Sequence, residues 1–399
     1  MGNQKKQEYS RPQMACMMTA IILCSIIYGF GMFKFIPMQD AVTARFHIGE
    51  GAYGYLNSAT NWVVMVLSVQ MGFLIRKWPG KYSIILGYIV SFAGIIIQIF
   101  TGSFPVFVIA RAIEGGGLGL ATLATTSLLL NMVPREKVGF WSGVSIFCAV
   151  GPQILITKGG SLLMLKAGMS FIGIFVIIAA LYLAAIAFAG FCIPKSVKAN
   201  GMAEDAKPTR EQTMRVFKNP SNWLVNISYI FFSLVSISFS AYVVKFLMIK
   251  GLEAGAAASV YSCTTLLGMI SMLVFGWISD KLQTKRKIVI AGYFAGAVAL
   301  ALLVNLPVGM IVIYVIVYGT LPRSIAGLST ASATDIAEVP ADVPIVNSLK
   351  NEVTQIGTVV FTIVLGYIIQ YLGYHTAIYL LAGSMVLGGI CWIFARKIP

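Results

Sequence analysis

Long apolar runs separated by short polar clusters recur along the whole 399-residue chain. A helix that crosses the hydrocarbon core of a bilayer needs about 20 mostly apolar residues. Twelve runs meet that length, at roughly 14–38, 52–74, 83–102, 105–131, 140–164, 168–193, 221–248, 256–278, 288–305, 307–334, 344–371 and 375–394. The pattern therefore predicts an all-α membrane protein of twelve transmembrane helices. The first run follows a polar stretch holding Lys5, Lys6 and Arg11. It is too long for the apolar part of a signal peptide and has no small-residue cleavage site, so it reads as a retained helix. One long polar segment lies between Pro194 and Pro220 and holds Lys195, Lys198, Lys207, Arg210, Arg215 and Lys218 beside Glu204, Asp205 and Glu211. It reads as a solvated linker with room for a short surface helix. The predicted organisation is a six-helix half at 1–193, a cytoplasmic linker at 194–220 and a second six-helix half at 221–399.

Composition sharpens this picture. Hydrophobic residues make up 58% of the chain and charged residues 11%, where a soluble domain carries about 25% charged. Too little charge is available to coat a soluble globule, which argues against a cytosolic enzyme, a disordered protein and a nucleic-acid binder. The net charge of +15 follows from topology. With a cytoplasmic N-terminus, the inner segments hold twenty Lys/Arg and the outer loops hold Arg45, Lys166 and Lys250. That bias places both termini in the cytoplasm, and the expected location is a plasma membrane, the inner membrane of a bacterium. Six cysteines, at 16, 24, 148, 192, 263 and 391, fall inside apolar runs without metal or redox spacing. His47 and His375 fall in predicted outer loops. Neither a metal cluster nor a nucleophile–base pair is legible, so the expectation is no enzyme and no cofactor.

Internal repeats relate the halves. Arg111-Ala-Ile-Glu-Gly115 in span 4 matches Arg323-Ser-Ile-Ala-Gly327 in span 10, and Lys34-Phe-Ile in span 1 matches Lys245-Phe-Leu in span 7. After span 8 the chain reads Gly276-Trp-Ile-Ser-Asp280-Lys281-Leu-Gln-Thr-Lys285-Arg286. That segment resembles the G-x-x-x-D-x-x-G-R-K loop of the major facilitator superfamily. The copy after span 2 runs from Gly72 to Lys81 and is degenerate, with Arg76 in the aspartate position. Gly151-Pro152 in span 5 is similar to the glycine–proline motif of that superfamily. The resemblance covers the whole chain. It implies two pseudo-symmetric halves, substrate bound between them near the midplane, a cavity lined by spans 1, 4, 7 and 10, and lipid-facing spans 3, 6, 9 and 12. It also implies a gating role for Asp280, Lys281, Lys285, Arg286, Gly72 and Gly276.

Six basic residues lie inside spans: Lys34, Arg111, Lys158, Lys245, Arg323 and Lys350. Each costs about 2.5–3.5 kcal/mol at a helix centre on insertion scales. The same spans hold two acids, Glu114 and Glu352. Such an excess of positive charge asks for an anion, and a carboxylate suits the fork of arginine and the point charge of lysine. Lys34, Arg323, Arg111, Lys245 and Lys350 are thus the candidate anion ligands, with Tyr28, Asn61 and Tyr242 completing the site and Asn57, Trp62, Ser236 and Ser240 as weaker choices. Glu114 and Glu352 are the candidate coupling acids. Each cation also has a structural alternative. Arg111 can pair with Glu114 three residues on, and Lys34, Lys158 and Lys245 can snorkel to the interface.

A lysine on span 1 is similar to the monocarboxylate porters, and one on span 11 to the oxalate/formate exchangers, although the span-8 charges of both families are missing. Nitrate porters carry arginines on spans 2 and 8, and none stands at either place here. The expectation is a monomeric secondary transporter of a small anionic solute, a carboxylate, working by exchange or proton symport. The alternatives are an exporter of drugs or other solutes, which Gly151-Pro152 suggests, and a sensor on a transporter scaffold.

Overall fold

The computed structural model describes residues 10–133, 138–194, 210–282, 284–338 and 342–395. Among them the chain is helical throughout, in twelve spans. The first runs over Arg11–Phe33, and its Ser10 N–H donates to the Gln13 side chain at the start. Pro37 cannot donate an N–H and crowds the preceding turn, so the chain kinks through a 3-10 turn at Ile36–Met38 and continues as a short helix, Gln39–Phe46. Span 2 is Glu50–Lys77, span 3 Gly80–Phe100 and span 4 Phe104–Met132. Span 5 is split by Gly151-Pro152 into Val138–Val150 and Pro152–Lys166. Span 6 is Phe171–Cys192.

A nine-residue helix, Arg210–Lys218, precedes the second set. Span 7 begins at Pro220 with an Asn219 cap and is helical to Ser233. It then widens into a π turn at Leu234–Ser238, tightens at Phe239–Ala241 and resumes as Val243–Ile249. Span 8 is Ala254–Leu282 and span 9 Lys285–Asn305. Span 10 breaks at Thr320, between Ile311–Gly319 and the turn Leu321–Ser324 that leads into Ile325–Ala331. Spans 11 and 12 are one helical run, Val343–Phe394, reversed at Gly373, whose φ of 80° suits glycine.

Among the described residues, ten stretches are long and apolar enough to cross a membrane, and Glu352–Phe394 has the length of two crossings. Side chains such as Phe100 and Phe191 stand outward, as expected where lipid is the solvent. Lipid offers helices no hydrophobic incentive to associate, so close packing of small residues has to do it. Spans 3 and 4 show this: a Cβ on Gly117 would lie 2.3 Å from the Gly87 carbonyl oxygen, so the two backbones touch. The two sets of six meet where span 2 packs on span 11 and where the second part of span 5 packs on span 8.

Candidate functional site

Three clusters organise the charges. The first is buried within the first six spans and centres on Glu114 of span 4. Its carboxylate accepts from Lys34 Nζ at 2.7 and 2.8 Å, from Arg111 at 2.8 Å, from Gln98 Nε2 at 2.8 Å and from the Tyr182 hydroxyl at 2.6 Å. Spans 1, 3, 4 and 6 are thereby tied to one carboxylate, and both Lys34 and Glu114 are 0% exposed. Arg111 also donates to the carbonyls of Gly31 and Met32 at 3.0 and 2.9 Å, where the kink after Phe33 turns backbone oxygens toward it. Lys34 Nζ stands 4.2 Å from the centre of the Phe175 ring, which adds cation–π attraction. The helical spacing of Arg111 and Glu114 yields the pair it allows.

The second cluster lies in the last six spans and has a different character. Arg323 stands on the tightened turn of span 10, half-buried, with its stem laid along span 8, where a Cβ on Gly268 would lie 2.7 Å from its Cγ. Its guanidinium is 5.0 Å from the centre of the Tyr318 ring, and Tyr318 stacks on Tyr314 at 5.5 Å. The buried Nε of Arg323 and the Tyr318 hydroxyl have no hydrogen-bond partner. No described carboxylate pairs with this guanidinium. Tyr261 of span 8 lies nearby and accepts a hydrogen bond from Gln153, the residue after the break in span 5. Two turns beyond Arg323 on span 10, Thr330 accepts from the ammonium of Lys350, which also sits 4.8 Å from the Tyr229 ring. Lys350 is buried, and a hydroxyl and a ring are its described partners.

The third cluster closes the end of the bundle away from the two termini. Lys245 of span 7 holds Glu50 Oε1 at 2.6 Å and Asp40 Oδ1 at 3.0 Å, both from the first set of helices. Gln39 donates to the other Glu50 oxygen. The Tyr242 hydroxyl donates to the Glu50 carbonyl at 3.2 Å, and Gly51 N–H donates to Gln370 of span 11 at 3.1 Å. Gln39 also donates to the Tyr374 hydroxyl of span 12 at 3.5 Å, and two further links between the sets, Gln153 to Tyr261 and Ser262 to the Ile154 carbonyl, join the outer part of span 5 to span 8.

The sequence candidates thus divide. Lys34, Arg111 and Glu114 meet in one cluster, Arg323 and Lys350 share the span-10 side of the second half, and Lys245 and Tyr242 stand at the closed mouth. Tyr28 is half-buried near Arg111, and Asn61 is buried in span 2. Asn57 turns back on the Tyr53 carbonyl, while Trp62 and Lys158 are exposed. Glu352 is half-buried in span 11. Of the gating set, Lys285 donates to Asp335 at 2.9 Å, Arg286 to the Trp392 and Ile393 carbonyls, and Lys281 lies exposed beside Trp277. All these partners belong to the last six spans. Gly276 has open space at its α-carbon. The side chain of Asp280 lies outside the described residues, as do the surroundings of Gly72.

Counting charge by spans set six cations against two acids. The structure corrects that balance, because Asp40 and Glu50 belong to it. Both sit just outside the hydropathy limits, Glu50 two residues before the predicted start of span 2 and at the first residue of the actual helix. Gln98, Tyr182, Tyr261 and Tyr318 were also passed over. A polar residue on an otherwise apolar face was the available signal for Gln98, and tyrosines in membrane helices carry little signal of their own.

Comparison with known proteins adds the family context. The sequence pattern of the Major Facilitator Superfamily matches residues 21–338. No curated protein matches the chain. Solved structures with the same fold include a mutant of the nucleoside transporter NupG, at 12% identity and a TM-score of 0.79, covering 95% of this chain and 100% of that one. A bacterial homolog of the human lysosomal transporter Spinster, inward-facing and occupied, aligns at 13% identity with a TM-score of 0.77 over 98% of both chains. A D-xylose–proton symporter aligns at 13% identity and 0.77, covering 96% of this chain and 98% of that one.

Proposed function

The chain belongs to the Major Facilitator Superfamily, and we propose that it is a secondary transporter that carries a small organic anion, a carboxylate, by alternating access. The observation that supports the anion is the contrast between the two halves. Lys34 and Arg111 are met by Glu114, and Lys245 by Glu50 and Asp40. Arg323 and Lys350 have only hydroxyls and aromatic rings around them. Two cations in a low-dielectric helix bundle are costly without a counter-charge, and a carboxylate substrate supplies one. The unpartnered Nε of Arg323 and the Tyr318 hydroxyl are donors left for it. On this reading Lys34 and Arg111 hold the scaffold, while Arg323 and Lys350 hold the ligand.

The excess of Lys/Arg in alternate loops supports cytoplasmic termini. The mouth closed by Lys245 then faces outward. Exchange requires no titratable group. Symport requires one, and Glu114 and Glu352 are the candidates. The test is counterflow in proteoliposomes with a panel of small carboxylates, followed by affinity measurements in detergent. A charge-assisted hydrogen bond contributes roughly 1.5–3 kcal/mol, so Arg323→Ala is expected to weaken binding about ten- to a hundredfold. Arg323→Lys also loses affinity, because lysine lacks the planar fork. If Arg323→Ala and Lys350→Ala both bind carboxylates like the parent, the anion assignment fails and a neutral solute takes its place.

A further inference from the structure

The mouth cluster contains a lysine whose partners are both carboxylates. Lys245 Nζ holds Glu50 at 2.6 Å and Asp40 at 3.0 Å, and the two acids come from the opposite half of the molecule. The lysine side chain is 23% exposed and Asp40 is 56% exposed, so this pairing stands at a wetted edge. Among the described residues, the other hydrogen-bonding groups at this cluster are neutral: Gln39, Tyr242 and Tyr374 contribute an amide and hydroxyls. Opening this end separates spans 2 and 7. Lys245 then loses both carboxylates at once, and Tyr242 loses its acceptor on Glu50. An ammonium and a phenol are left facing incoming solute.

We propose that Lys245 is a capture site for the carboxylate substrate in the outward-open state, and that Glu50 and Asp40 close the mouth by competing for the same ammonium. The two acids occupy, in the closed state, the place the substrate's carboxylate takes in the open one. Solute and closure are therefore mutually exclusive at this atom, so the mouth shuts only when the anion has left Lys245 for the interior. The inference rests on the anionic substrate proposed above, and it adds a second, outer binding position to the one at Arg323.

A latch with no ligand role makes a different prediction. Glu50→Gln and Lys245→Gln both weaken the closed mouth, the first leaving Asp40 on Lys245 and the second leaving neither bridge, so a pure latch shifts both variants toward opening. A capture site separates them, since Glu50→Gln removes the competitor and Lys245→Gln removes the site. The experiment places spin labels at Ala44→Cys and Tyr371→Cys, on opposite sides of the mouth, with the exposed Cys16 and Cys263 replaced by serine. Distances are measured in vesicles against a mixture of formate, lactate, malate and gluconate, and against a neutral mixture of xylose and uridine. The expected result is that carboxylates widen the mouth of Glu50→Gln at about tenfold lower concentration than the parent, while Lys245→Gln responds only at about tenfold higher concentration. Lys245→Arg keeps the response. A shift of both glutamine variants to lower carboxylate concentration overturns the capture site and leaves the anionic substrate standing. Widening by the neutral mixture alone overturns both. No widening by either mixture overturns the capture site, because counterflow tests the substrate class separately.

Discussion

Neutralising Glu114 should be far more damaging than removing the lysine that faces it. The cluster holds two cations and one carboxylate, all nearly sealed from solvent. Glu114→Gln keeps the shape of the side chain but leaves Lys34 and Arg111 together without a counter-charge. It also turns an amide NH2 toward one of the donors that the carboxylate had accepted. Stranding a buried charge by deleting its partner costs about 3–5 kcal/mol. Lys34→Met leaves Glu114 paired with Arg111 at 2.8 Å and still bonded to Gln98 and Tyr182. No charge is orphaned, and the loss is about 1–2 kcal/mol for the hydrogen bonds. For a half of fewer than 200 residues, each kcal/mol moves the midpoint by about 2–4 °C. Glu114→Gln should therefore melt roughly 10 °C below the parent and Lys34→Met only a few degrees below. The assay is a melting curve of each purified variant in detergent, with the double variant completing the cycle. A Glu114→Gln protein that melts with the parent, or a Lys34→Met protein that melts lower than Glu114→Gln, would refute the view that this cluster is a scaffold.

Two further predictions concern the ends of the bundle. A Cβ on Gly54 would lie 2.9 Å from the Thr362 carbonyl oxygen and 3.0 Å from the Tyr242 hydroxyl, so Gly54→Val should shift the molecule toward the state open at the mouth. Spin-label distances across the mouth check this, and a distribution like the parent's defeats it. Asp280→Asn should reduce transport while the protein stays folded, if the loop after span 8 holds the two halves together at the end opposite the mouth in the other state. Normal counterflow by a well-folded variant would rule that out.

Most of the fold was legible because a helix in lipid has to be long and apolar, and few other structures produce such runs. The breaks were harder. Pro37 and Gly151-Pro152 announce theirs through the backbone chemistry of proline. Pro322 marks the break at Thr320 in the same way, while the π turn at Leu234–Ser238 has no such marker, because it depends on what packs alongside. The cations were legible one by one, since any charge in an apolar run stands out. Their partners were not. Hydropathy ends a span where polar residues gather, which cut Glu50 and Asp40 away from Lys245. Only folding brings span 7 beside the start of span 2, and Gln98 and Tyr182 beside Glu114.

The turn at Gly373 carries a consequence beyond topology. One residue with positive φ reverses the chain between spans 11 and 12, with Gln370 on one side and Tyr374 on the other. Gln370 receives the Gly51 N–H, and Tyr374 lies 3.5 Å from the Gln39 amide. Both arms of this hairpin thus touch the mouth, and no slack lies between them. Span 12 has Tyr379, Leu387 and Phe394 outward, in the position of a helix bathed in acyl chains. A single residue separates span 12 from the contacts that close the mouth, so a tilt of this helix in the bilayer has a short covalent path to them.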